Sequence, residues 1–185
     1  DVVSLCDGKG SEVQARIDVL ARDQVIFSVL ERLEPKATSL NKVNLYQAIL
    51  KKENFELVVQ KATECGVESI VPVITERTIK LSLNHERLVA IAKEASEQSG
   101  RTILPHLARP ITFESLIEKK PTGEKVILDL GADKSLGSII KESEINLLIG
   151  PEGGFSPREI NLAELAGFSR ASLGDLTLRA ETAGI

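Results

Sequence analysis

The sequence predicts an α/β protein with a mostly parallel sheet, preceded by a smaller β-rich segment. Three observations carry this. From residue 43 onward, short apolar or β-branched runs alternate with stretches of helical period, the pattern of strands joined by helices. Residues 1–33 instead alternate with period two. The stretch Ile145-Asn-Leu-Leu-Ile-Gly-Pro-Glu-Gly-Gly-Phe-Ser-Pro-Arg-Glu159 reads as buried strand, glycine loop and helix start in succession.

In chain order, Asp7-Gly8-Lys9-Gly10 is a turn between two β runs. Val13, Ala15, Ile17 and Val19 are expected on one face, as are Val25, Phe27 and Val29. Residues 34–39 form a polar, proline-containing linker, with a boundary near Leu40. Residues 43–48 read as a strand. Phe55, Val58, Val59, Ala62 and Cys65 make an inward helical stripe stopped by Gly66. Residues 69–74 are a β-branched strand. Asn84 caps a helix running to Ser99, with Leu88, Ile91, Ala92 and Ala95 inward and Gly100 at its end. A short helix spans 112–119, and strands span 125–130 and 145–149. Ser156, Pro157 and Glu159 make a capping box with proline in the first turn, opening a helix to residue 166. Residues 168–173 are the last strand, 174–180 a loop, and 181–183 begin another helix.

Composition bounds the function. The 185 residues suit one large domain or two small ones, with 42% apolar and 27% charged residues. No apolar run approaches the roughly 20 residues of a membrane span. A net charge of −4 argues against a broadly basic nucleic-acid platform but leaves room for local basic patches. Cys6 and Cys65 are isolated, and neither His85 nor His106 has a second ligand at metal spacing, so a reduced cytoplasmic setting without metal fits. The chain opens at Asp1 inside what reads as a strand and contains no methionine, which suggests a piece of a longer protein.

Chemistry is expected at the strand–loop–helix junctions, because open α/β sheets bind ligands at the carboxyl ends of their strands. Residues 150–155 form one junction and residues 173–182 a second. Two successive junctions on one edge face one crevice. The glycine loop is neither G-x-G-x-x-G nor a P-loop, so a plain nucleotide enzyme is disfavoured, and a simple tight turn is the competing reading. A third polar group lies at Glu94-Ala-Ser-Glu97-Gln98-Ser99-Gly100-Arg101. There Arg101 could equally satisfy helix carbonyls. Lys61 and Glu64 could equally be a solvated face.

Together these pieces resemble the ribosomal RNA small-subunit methyltransferase E family of the SPOUT superfamily. The matching residues are Gln60-Lys-Ala-Thr-Glu-Cys-Gly-Val67 with Pro72 and Glu76-Arg77, then 94–101 with Pro105, then Ile149-Gly-Pro-Glu-Gly-Gly-Phe-Ser156 with Glu159, and finally 173–174 and 178–183. They occur in the family's order over most of residues 40–183. The resemblance implies S-adenosyl-L-methionine as cofactor and methylation at N3 of a uridine in 16S ribosomal RNA, within the assembled 30S subunit. It implies a partial PUA-like RNA-binding β domain at 1–36, a SPOUT domain with a C-terminal trefoil knot at 40–185, a homodimer, and a further terminal helix after Ile185. Cys65 stands where the family commonly has an aliphatic residue, and Asp175 and Thr177 stand in a stretch that often carries a basic one.

On this resemblance the cofactor-binding residues are Leu128, Leu130, Gly150, Glu152, Gly153, Gly154, Leu173, Gly174, Leu178 and Thr182. Arg179 would supply a cation, and Glu181, or else Glu152, would accept a proton. Lys61, Gln98 and Arg101 would meet RNA. The alternatives are a SPOUT enzyme acting on a ribose 2′-hydroxyl of another RNA, or a non-catalytic RNA-binding or ribosome-assembly module.

Overall fold

The computed structural model describes residues 1–34, 41–79 and 82–185. Residues 35–39 of the expected linker at 34–39, and the boundary near Leu40, lie outside the described residues.

The N-terminal strands β1 (Val2–Cys6), β2 (Glu12–Leu20) and β3 (Val25–Leu33) form an antiparallel sheet in that order. The turn between β1 and β2 forms as expected. Asp7 Oδ1 accepts from the amides of Lys9 at 2.7 Å and Ser11 at 3.0 Å, an Asx-type closure. The same turn docks on the rest of the molecule: Gly10 N donates to Thr102 O at 3.1 Å and Leu104 N to Gly8 O at 3.0 Å. One expectation is corrected. Val13, Ala15, Ile17 and Val19 do not share one buried face, since Ala15 is fully buried while Val19 is 47% exposed. Register shifts at Gln14/Ala15 and Ile17/Val19 insert an unpaired residue and rotate the strand beyond them.

The second sheet is parallel throughout. Its strands are β4 (Lys42–Ala48), β5 (Ser69–Ile74), β6 (His106–Leu107), β7 (Ile111–Thr112), β8 (Glu124–Leu128), β9 (Glu144–Ile149) and β10 (Ser169–Ala171). The order is β10-β8-β9-β4-β5-β6, with β7 also pairing β5. The chain starts in the middle at β4, runs outward through β5, then crosses back to build β8, β9 and β10 on the other side. The direction of winding therefore reverses at the β4/β9 pair, the switch point where such sheets leave a crevice.

Neighbouring residues of one strand serve opposite cores. Leu45 of β4 and Ile149 of β9 pack with Phe55, Val58 and Val59 of α1 (Lys52–Glu64) and with Leu88 and Ala92 of α2 (His85–Ser99). Tyr46 and Leu148, one position away on each strand, pack instead with Phe113 and Leu116 of α3 (Phe113–Lys119), Ala163 of α5 (Pro157–Leu165), and Phe155 and Phe168. Burial on both faces explains why the end of β9, Leu147-Leu-Ile149, reads as a continuous apolar run.

Helix ends follow the sequence signals. Asn84 Oδ1 accepts from Arg87 N at 3.0 Å, and Gly100 ends α2 in the left-handed region at φ 68°. Ser156 and Glu159 form the reciprocal capping box. Three boundaries differ. Cys65 is exposed rather than part of the inward stripe, because α1 ends at Glu64 and the chain turns there. β8 stops at Leu128 and β10 at Ala171. After the bond from Asp129 N to Ala171 O, the chain turns through Ala132 N to Asp129 O, taking Leu130 out of the sheet. The four-residue helix α4 (Leu136–Ile139) and the two-residue strands β6 and β7 are too short to show a period. A last short helix, α6 (Ala180–Ala183), packs against α1.

Candidate active site

The carboxyl ends of β8, β9 and β10 surround a cavity of about 510 Å³. One wall is the 150–155 loop, through Gly150, Pro151, Glu152, Gly154 and Phe155. A second is the 128–130 segment leaving β8. The third is the 171–181 segment, through Leu173, Leu176, Leu178, Arg179 and Glu181. The first turn of α1 closes the fourth side with Lys51 and Asn54. Apolar walls with few polar groups are what an organic cofactor site needs, and the volume lies within the roughly 300–1,000 Å³ of such sites.

Of the residues expected at a cofactor site, Leu128, Leu130, Gly150, Glu152, Gly154, Leu173 and Leu178 meet on this cavity, together with Arg179 and Glu181. Gly153, Gly174 and Thr182 are not on its surface. The Gly153 carbonyl faces outward and accepts from Arg77 Nη1 at 2.6 Å. Gly174 is held at φ 119°, a conformation that suits glycine and sets the bend between Leu173 and Leu176.

Arg179 is 86% exposed and Glu181 only 10%, with Nη1 3.9 Å from Oε1. The pair is loose, so the guanidinium stays open to a further partner while the carboxylate sits inside the cavity wall. Glu152 Oε1 accepts weakly from Lys51 N at 3.4 Å, joining two walls. Asp129, also on the cavity, is engaged by Arg170 Nη2, and this hydrogen bond raises the Arg170 pKa. Lys51 and Asn54 escaped the sequence reading, whereas Asp129 falls within the wall expected at 128–130. Lys51 and Asn54 follow the carboxyl end of β4 at a further strand–loop–helix junction, so the rule that found the other two junctions applies to them as well.

The loop after β5 braces the glycine loop. Glu159, fully buried, accepts from Ser156 N at 2.8 Å through one oxygen and from Glu76 N at 2.9 Å through the other. Arg158 Nη1 reaches Glu76 at 2.6 Å and Glu114 at 3.6 Å. The Glu76 carboxyl is held below its ordinary pKa, first by the Ser156 hydroxyl and then by Arg158. A carboxylate with a depressed folded-state pKa stabilises the fold above its unfolded pKa and loses that contribution as pH falls through the folded value. Glu76→Gln is therefore expected to lower the melting temperature at neutral pH and to flatten the acid limb, the two profiles converging below the ordinary carboxylate range. An unchanged acid limb would show that the brace does not depend on the Glu76 charge.

The three residues expected to meet RNA lie away from the cavity. Lys61 Nζ bridges to Glu64 at 2.9 Å on the surface of α1. Gln98 is exposed on α2, beside a groove that also holds Glu53, Glu56, Glu94 and Glu97. Arg101 turns inward and donates to the carbonyls of Thr63 at 3.0 Å and Val67 at 2.5 Å. Burial pulls its pKa down. The carbonyl-satisfying reading of Arg101 is thus the one seen, with the carbonyls at the end of α1 rather than of α2. Among the described residues no group of three or more His, Cys, Asp or Glu side chains could hold a metal, and no helix is long and apolar enough to cross a membrane.

Fold and cavity define an open, doubly wound α/β protein with a largely apolar cavity of organic-ligand size at its switch point. Residues 37–185 match the family model described as an RNA methyltransferase domain. The chain is 37% identical over 194 aligned residues to ribosomal RNA small subunit methyltransferase E of Synechocystis sp., covering 99% of this chain and 63% of that protein. It is 31% identical to the protein of the same name from Rickettsia conorii, covering 100% of this chain and 78% of that one. Ribosomal RNA small subunit methyltransferase E of Neisseria gonorrhoeae, solved bound to S-adenosyl methionine, superposes with a TM-score of 0.94 at 33% identity, over 100% of this chain and 79% of that one. A Legionella pneumophila structure in complex with the same cofactor gives 0.93 at 34% identity, with the same coverage. The chain belongs to the RNA methyltransferase family and, within it, to the ribosomal RNA small subunit methyltransferase E group.

Proposed function

We propose that this protein methylates small-subunit ribosomal RNA with S-adenosyl-L-methionine as donor, at N3 of a uridine in 16S RNA. The observation that carries the reading is the cavity, where two strand–loop–helix junctions close over the carboxyl edge at the β4/β9 switch point. Its volume and its apolar walls at Leu128, Leu173 and Leu178 fit an adenosine and an aliphatic sulfonium chain. The donor, when bound, supplies an electrophilic methyl group.

The protein's part is positioning and electrostatics. Leu128, Leu130, Gly150, Glu152, Gly154, Leu173 and Leu178 hold the donor directly, while Gly153, Gly174 and Thr182 shape the loops behind it. N3 lies on the Watson–Crick edge, so the base enters unpaired or flipped out. N3 also carries a proton that must leave before it can attack. In this reading Glu181, in the cavity wall, accepts it, or else Glu152; Asp129, the third carboxylate on the cavity, is engaged by Arg170. Arg179, exposed beside Glu181, stabilises the uridine anion or an adjacent phosphate. Lys61 and Gln98 face solvent for RNA, and Arg101 acts indirectly by fixing the end of α1.

The finer architecture belongs to the same proposal. Residues 1–36 form part of a PUA-like RNA-binding domain, and 40–185 the SPOUT domain. Exposed Val25, Phe27 and Val29 support further β structure over the small sheet. A C-terminal trefoil knot is supported by the path of residues 172–184 across the carboxyl edge, which seats Gly184 against Gln47 of β4 and Val58 of α1. The active form is a cytoplasmic homodimer acting on the assembled 30S subunit.

The test is methylation of small subunits that lack the modification, followed by nucleoside mass analysis. The expected product is 3-methyluridine. A 2′-O-methyl nucleoside would move the enzyme to another reaction. RNA binding without calorimetric binding of the methyl donor would leave a non-catalytic module.

A further inference from the structure

We propose that Arg77 is a positioning residue that holds the 150–156 loop in its donor-binding shape, an inference that rests on the cofactor reading of the cavity. Three of the five residues at 150–154 are glycine, so the free loop samples many conformations and a ligand that needs one of them pays for the ordering. The loop closes only one bond of its own, from Gly154 N to Pro151 O at 2.8 Å. That bond does not fix the Gly153 carbonyl. Arg77 does, with a charge-assisted hydrogen bond of 2.6 Å, and its Cβ and Cδ lie where a side chain on Gly153 would contact them.

Arg77 is itself held. Its turn is closed by Thr78 N donating to Thr75 O at 3.1 Å and by Thr75 N donating to Thr78 Oγ1 at 2.9 Å. The next residue back, Glu76, gives its amide to the buried Glu159, whose other oxygen takes the amide of Ser156. The β5 turn and the glycine loop are therefore joined at two points, one on each side of Phe155. Glu159 fixes the helix end of the loop, and Arg77 fixes its glycine half. Arg77 does not line the cavity, so its effect on a ligand there passes through Gly153.

Calorimetry and steady-state kinetics on the wild type, Arg77→Ala and Arg77→Lys test this. Arg77→Ala is expected to raise Kd and KM for S-adenosyl-L-methionine about tenfold, the loss of roughly one charge-assisted bond's worth of preorganisation. The kcat at saturating donor and the KM for RNA should stay within about twofold on the same argument. Arg77→Lys, which keeps a cationic donor, should recover most of the donor affinity. Unchanged donor Kd in Arg77→Ala, with or without a lower melting temperature, overturns the proposal. So does a rise confined to the KM for RNA, which would make Arg77 an RNA contact. If Arg77→Ala does not fold, Arg77→Gln carries the same expectations. Wild-type protein that binds no donor would instead sink the cofactor reading itself.

Discussion

Arg179→Ala is expected to lower kcat for methyl transfer by about two to three orders of magnitude, the usual loss when one electrostatic stabiliser of a developing charge is removed. Donor affinity should change little, because the guanidinium is 86% exposed and the apolar contacts of the cavity come from Leu128, Leu173 and Leu178. The physical reason is charge. In the proposed reaction, uridine N3 becomes nucleophilic only as its proton leaves, and the resulting negative charge spreads toward the flanking carbonyl oxygens. A planar cation with paired donors matches such oxygens, whereas the 3.9 Å contact to Glu181 is too loose and too wet to neutralise it. Arg179→Lys should recover only part of the rate, since it restores a point charge without the fork. Single-turnover measurements at saturating donor and RNA isolate the step. A kcat for Arg179→Ala equal to wild type would remove Arg179 from the chemistry.

Phe113→Ala is expected to be a strongly damaging core truncation that reaches the site through Phe155. Phe113 is 1% exposed and opens α3 directly after its Thr112 cap. Its ring meets Phe155 at a centroid distance of 6.1 Å and a tilt of 52°. Phe155 is the one aromatic anchor of the glycine loop, so Phe113 is the floor on which that loop rests. Truncation removes the transfer energy of the ring and leaves a cavity beneath the loop, together about 3–5 kcal/mol. For a chain of this size that corresponds to a fall in Tm of roughly 6–20 °C. Denaturant unfolding should show a lower midpoint at constant slope, and donor affinity should weaken with it. A loss under about 1 kcal/mol would mean that neighbouring side chains collapse into the space.

Ser156, Pro157 and Glu159 announce a capping box, and the box forms as read, because a capping signal is satisfied within four residues. Yet nothing local says that Glu159 also receives the amide of Glu76, 83 positions away. The strand at 69–74 and the helix at 85–99 were legible for the same local reason. The ends of β8 and β10 were not. Leu130 and Leu173 continue apolar runs, but the chain turns at Asp129 beside an edge strand of three residues, where little remains to pair with.

The site divides along the same line. Sequence alone determined that two glycine-bearing junctions exist and that no phosphate-loop fingerprint is present, since these depend on residue types at short spacing. Only the tertiary structure decided the rest. The strand order places those two junctions and the unrecognised junction at Lys51 and Asn54 around one cavity. It turns Arg101 inward to the carbonyls of Thr63 and Val67, more than 30 residues away, rather than leaving it free on the surface. It also leaves Gly153 behind the cavity, pinned by Arg77. Spacing along a chain fixes which groups share a turn of helix or a strand face, while the partners of a buried carboxylate or a guanidinium are fixed by which strands lie side by side.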